Sequence, residues 1–156
     1  MKYTTAYACL AGALALPGLA QARPVVLNAQ LKNYAGTGAY LAVYVTDAAG
    51  KYKKTLWVAG KKSKYYKHLS DWARGSGMKA AEFDGVTGAS VGSGKALKVT
   101  VELADTLIDA GYEIRIDSAV EDGRDQPADA RAALTKQGAG KPVKGRGYVQ
   151  SFTYDM

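Results

Sequence analysis

Cysteine is almost missing from this chain of 156 residues: the one copy, Cys9, sits in an apolar N-terminal stretch. Beyond that stretch the chain has no means of forming a disulfide, holding an iron–sulfur cluster through cysteine or attaching a c-type haem. Histidine is equally scarce. His68 stands alone, too few for an ordinary zinc site with its three or four protein ligands. No Ser/His/Asp arrangement is recognisable around it, no motif supports haem ligation with a methionine, and it reads as a helix-surface residue. Long apolar runs are missing too. Ala6 to Leu19 is too short to span a bilayer, and no later stretch is apolar enough to do so. Acidic residues are in the minority, with 21 Lys and Arg against 14 Asp and Glu and a formal charge of +7.

The N-terminus carries its own signature. Lys2 supplies a positive start, Ala6 to Leu19 an apolar centre broken by Pro17, and Ala20-Gln21-Ala22 an A-x-A cleavage site. This pattern predicts a secretory signal peptide over residues 1–22, and the remaining length predicts a single domain over residues 23–156. Cys9 precedes the cleavage signal, so it is not placed as a lipoprotein cysteine. An exported domain without disulfides depends on its hydrophobic core, and this chain is long enough to build one. The positive charge invites nucleic acid, an anionic membrane surface or an acidic partner. Export argues against nucleic acid.

Period-two alternation dominates the rest. Leu41, Val43 and Val45 share one face, and Asp47-Ala48-Ala49-Gly50 reads as a turn into a strand around Thr55 to Val58. Leu97, Val99, Val101 and Leu103 alternate with Lys98, Thr100 and Glu102, and Tyr112, Ile114 and Ile116 with Glu113, Arg115 and Asp117. Strands are also expected over Val25 to Leu31 and Tyr148 to Tyr154. One buried face and one wet face is the habit of antiparallel sheets, and strands at this spacing predict a two-sheet sandwich. Tyr65, Leu69 and Trp72 recur at i, i+4 and i+7, which predicts one short amphipathic helix over Ser63 to Ala73, capped by Ser63 and ended at Gly75-Ser76-Gly77. Glu121 to Gly145 has no sustained period and reads as a long loop with at most one helical turn at Ala128 to Leu134.

The most distinctive stretch is Asp84-Gly85-Val86-Thr87-Gly88-Ala89-Ser90. Gly85, Gly88 and Ala89 keep it free of bulk, Gly permits backbone shapes closed to other residues, and turn signals around it predict exposure. Thr87 and Ser90 offer hydroxyls, and Asp84 a carboxylate that docks or orients the segment. It is not a phosphate-binding P-loop, because five residues rather than four separate Gly88 from Gly94, and Ala96 follows Lys95. Lys51 to Lys54 and Lys61 to Lys67 interleave bases with tyrosines. Such a pattern can stack bases or a flavin ring, but its commoner meaning is a solvated surface. Glu121, Asp122, Asp125 and Asp129 do not have the spacing of an EF-hand calcium loop.

The segment reads D-G-x-T-G-A-S and resembles the acceptor motif on which bacterial flavin transferases place FMN, joined through its phosphate to the final Thr or Ser. The rest of the chain resembles a family of predicted periplasmic proteins of unknown function. Tyr40 to Asp47, Gly50 to Trp57, Lys64 to Trp72 and Asp84 to Ser90 carry that likeness, which reaches to about Gly123. Members resemble the immunoglobulin-like domain of the flagellar hook-capping protein and are often encoded beside PepSY-type membrane reductases and a flavin transferase. The resemblance implies an all-β, immunoglobulin-like antiparallel β-sandwich with one short helix, in the periplasm. It further implies covalent FMN on Ser90, with Thr87 as the fallback acceptor and Asp84, Gly85, Gly88 and Ala89 completing the motif. The flavin transferase and a PepSY-type reductase are its implied partners. Such a protein is a redox carrier rather than a self-standing enzyme. The family more often has Thr at the final position, and Ser90 keeps the hydroxyl. The competing expectation is a non-redox binding or structural module, since this fold hosts many functions.

Overall fold

The computed structural model describes residues 21–156. The signal peptide expected over residues 1–22 therefore lies outside the described residues, apart from Gln21 and Ala22. Two sheets face each other. In the first, β1 (Ala22–Leu31) is flanked by β5 (Ala96–Ala104) and β9 (Val149–Asp155), and β8 (Val143–Lys144) closes the far side. In the second, β2 (Tyr40–Thr46) lies between β3 (Tyr52–Ala59) and β6 (Glu113–Ala119), with β4 (Thr87–Gly88) outside β3 and β7 (Gln126–Ala133) outside β6. All pairings are antiparallel except β3 with β4, which is parallel. The expected all-β sandwich is the observed architecture.

Alternation explains the core between the sheets. Val25, Leu27, Ala29 and Leu31 meet Leu97, Val101 and Leu103 on one side and Leu41, Val43, Val45, Ile114 and Ile116 on the other. In β9 the buried residues are Val149, Phe152 and Tyr154, out of strict period, because a bulge lets Gln150 drop out of register with β1. The Asp47 turn is closed by its own side chain, which accepts the Ala49 and Lys51 amides. The Lys51 bond above all holds the Asp47 carboxyl below the usual carboxylate range.

Three expectations are corrected. The outer face of the second sheet is not wet: Ala42, Tyr44, Val58 and Ala119 are buried there under Tyr66, Leu69, Trp72 and Ala73. The covering segment is not one helix. A 3-10 helix runs over Ser63–His68, breaks at Leu69, and resumes as α1 (Ser70–Ser76), followed by α2 (Ala80–Phe83). Ser63 caps nothing; Lys62 occupies the N-cap without a side-chain bond. The 3-10 turn and the break at Leu69 together bring Tyr66, Leu69 and Trp72 to the buried side, leaving Tyr65 half-buried against Tyr40. Gly77, at φ 64°, ends α1 in the left-handed conformation. Finally, residues 126–133 are not loop or helix but β7. Its inward residues, Ala130 and Ala132, bury too little surface to mark a strand, and alanine favours helix by propensity alone.

Two fully buried carboxylates hold these layers. Asp129 accepts the Ser118 hydroxyl at 2.6 Å and the Gly147 and Val149 amides at 2.7 and 3.0 Å, joining β6 and β7 to the first sheet. Asp117 accepts the Tyr44 hydroxyl, the Ala128 amide and the Trp72 amide, each at 2.8 Å. From Trp72 the network continues: its indole donates to Thr55, which bonds Tyr52, whose hydroxyl reaches Glu82. Burial pushes the Asp117 carboxyl up, against the three donors, which favour its ionised form.

Asp117→Ala leaves three buried donors without an acceptor, and chemical denaturation should show a loss of about 2–5 kcal/mol. A raised folded-state pKa contributes stability at low pH and loses it as pH rises through that pKa. The stability advantage of the native protein over Asp117→Asn should therefore shrink as pH climbs from about 4, the ordinary carboxyl range, in denaturation curves taken at successive pH values.

Candidate functional site

The segment Asp84 to Ser90 is strung between two anchors. At its start Phe83 packs edge-on to Tyr66, with ring centres 5.2 Å apart, and lies 6.1 Å from Trp72. Gly85, at φ 80°, turns the chain with open space around it. Val86 and Gly88 then present carbonyls to the Val58 and Gly60 amides at 2.9 and 2.8 Å. At its end Val91 exchanges two main-chain bonds with Ala39 and is buried in the core between the sheets. The stretch expected as a free small-residue loop is thus a sheet edge, held by these four main-chain bonds.

The anchors leave the hydroxyls outside. Asp84, Gly85, Thr87, Ala89 and Ser90 are exposed, and Gly88 is half-buried. Gly88 has a packing reason: a Cβ there would stand 2.7 Å from Cζ2 of Trp57, so only glycine lets β4 lie on the indole. Ser90 Oγ projects beside Gly38, where an added Cβ would stand 2.5 Å away. Neither Ser90 nor Thr87 spends its hydroxyl on a hydrogen bond among the described residues.

Two recesses meet the contact between Ser90 and Gly38, one lined by each residue. One is an open groove of about 420 Å³ along the sandwich edge, between the Gly88–Gly92 segment and β5, with Trp57, Leu97 and Val99 in its floor and Lys95 and Lys98 on its walls. Ser90 lines it; Thr87 does not. The other is a cleft of about 340 Å³ on the far side of Gly38, formed by Tyr40, Tyr65, His68 and the Glu121–Asp125 turn. His68 is exposed at the end of the 3-10 helix, as expected, and its Nδ1 lies 3.1 Å from Asp125.

The remaining sequence candidates resolve locally. Lys53 faces Asp47 at 3.7 Å, Lys64 lies over the Tyr65 ring, and Tyr66 is buried, so the basic–aromatic run is the solvated edge of a packed layer. Asp129 is consumed by hydrogen bonds, and no cluster of three or more His, Cys, Asp or Glu suited to a metal occurs among the described residues. Trp57 and Lys98 were not singled out by sequence, because only the pairing of β3 with β4 and the meeting of two sheet edges bring them to Ser90.

Among the described residues no helix is long and apolar enough to cross a membrane. No curated protein and no solved structure matches the chain. A family model described as predicted periplasmic protein, DUF2271, matches residues 22–151, which is nearly everything the two sheets contain. With its sandwich fold and its exposed edge segment, the chain belongs to this family of predicted periplasmic proteins, and its compartment is the periplasm.

Proposed function

We propose that this protein is a periplasmic electron carrier bearing FMN on Ser90, with residues 1–22 removed on export and residues 23–156 acting as one domain. The observation that carries the reading is the Ser90 hydroxyl: exposed, without a hydrogen-bond partner among the described residues, and closing the D-G-x-T-G-A-S segment. Attachment is a phosphoryl transfer by a flavin transferase from a flavin dinucleotide. Ser90 Oγ bonds the flavin-side phosphorus and gives up its proton, the pyrophosphate bond breaks, and a nucleoside monophosphate leaves. To reach the transferase, the edge must lift from β3, which breaks the Val86 and Gly88 bonds to Val58 and Gly60 at a net cost of about 1 kcal/mol each. The bonds to Ala39 beyond Ser90 set where the lifted segment stops.

The bound flavin supplies the redox chemistry. The chain itself supplies a fixed tether and an overall positive surface, whose field speeds encounter with an acidic partner. A PepSY-type membrane reductase is the electron donor this reading implies. No substrate pocket of its own is needed for such a carrier.

Co-expression with a periplasmic flavin transferase should raise the intact mass by one FMN less one water, with in-gel flavin fluorescence under denaturing conditions. Ser90→Ala should abolish both, and Thr87→Ala should leave both intact. An unchanged mass in the native protein contradicts the reading and leaves a non-redox sandwich module; an adduct that survives in Ser90→Ala contradicts the assignment of the acceptor.

A further inference from the structure

We infer that the groove over Trp57 is a seat for a planar heteroaromatic ring carrying a phosphate, with the ring on the indole and the phosphate between Lys95 and Lys98. The identity of the ring as flavin rests on the reading above; the seat rests on the groove. Its floor is aromatic and aliphatic, from Trp57 and Leu97, and its walls carry two exposed lysines. Neither lysine has an acidic partner among the described residues. Flat apolar floors with cationic rims favour ligands that join a π-face to an anion.

The indole itself is incomplete. Trp57 Nε1–H is buried without an acceptor among the described residues, an exception native structures seldom leave unexplained. Gly88 packs its backbone against the Cζ2–Nε1 edge of the indole, where a side chain would clash, while Trp57 still lines the groove.

Placement separates this groove from the cleft on the other side of Gly38. The cleft also has aromatic walls, but Glu121, Asp122 and Asp125 stand on its rim, and like charges repel a phosphate. A phosphate esterified at Ser90 still carries one negative charge, and Lys95 and Lys98 are the cations that line the recess Ser90 lines. The groove is also open to solvent along its length. A ring laid there keeps one face on the protein and its other face within reach of a redox partner, which a closed cavity would deny.

The test uses the protein expressed without any transferase, so it does not depend on attachment. Free FMN is titrated into the ¹⁵N-labelled protein, and the two indole N–H resonances are assigned with Trp57→Phe. The Trp57 resonance should move with FMN while that of Trp72, inside the aromatic cluster, stays in place. Riboflavin, which lacks the phosphate, should bind about threefold to fivefold more weakly, and Lys95→Gln/Lys98→Gln should erase that difference, as expected for two exposed ion pairs. A Trp57 resonance indifferent to FMN, or shifts confined to Tyr65 and His68, overturns the seat even if Ser90 is later found loaded. Conversely, a shifted Trp57 in a protein that never acquires covalent flavin keeps the seat and removes the tether.

Discussion

Asp117 is the group on which the exposed end of this molecule depends. A carboxylate without solvent contact is tolerated only when donors surround it, and here the three donors come from β2, from β7 and from the first turn of α1. The Trp72 amide is the one that matters most for the site. It draws α1 onto the outer face of the second sheet, where Trp72 and Tyr66 create the pocket that receives Phe83. Asp84 follows directly. The Asp84 to Ser90 segment therefore begins at a point fixed by a buried carboxylate, and the chain beyond it is fixed at Val91 by the core between the sheets.

This arrangement resolves a tension in the proposed function. A segment that a transferase must handle has to come away from the fold, while a tether that carries electrons has to hold a defined position. Holding the ends by burial and the middle by two edge hydrogen bonds meets both needs, because edge bonds open locally at far lower cost than core packing. The charges follow the same division. Acid gathers around the Glu121–Asp125 turn and His68, while Lys95 and Lys98 line the other flank of Ser90. The overall positive charge thus hides two local environments of opposite sign, one lined by Gly38 and the other by Ser90.

Much of the sandwich was legible from local pattern. Leu97 to Leu103 alternates because β5 is an edge with one truly wet face, and the Asp47 turn closes on itself through neighbours two and four residues away. What could not be read depends on long-range placement. Ala42 and Tyr44 look outward-facing until α1 covers them. Tyr65 and Tyr66 trade roles because the helix is 3-10 and its phase differs from 3.6. β7 is hidden by alanines whose burial is modest and whose propensity points elsewhere. At the site, the small residues and hydroxyls of Asp84 to Ser90 announce themselves. The two-residue strand Thr87–Gly88 exists only because Val58 and Ala59 end β3 beside it, and Trp57 reaches Gly88 for the same reason.

The central claim is chemical and local: the phosphoester forms at Ser90 Oγ. The most direct measurement is fragmentation mass spectrometry of the tryptic peptide Ala80 to Lys95, which carries Thr87, Ser90 and Ser93 and no internal Lys or Arg, taken from protein exported in the presence of a flavin transferase. The account predicts one phosphoflavin on that peptide, with every fragment containing Ser90 shifted and those ending at Ala89 unshifted. A peptide without flavin, or flavin on Thr87 or Ser93, would contradict it.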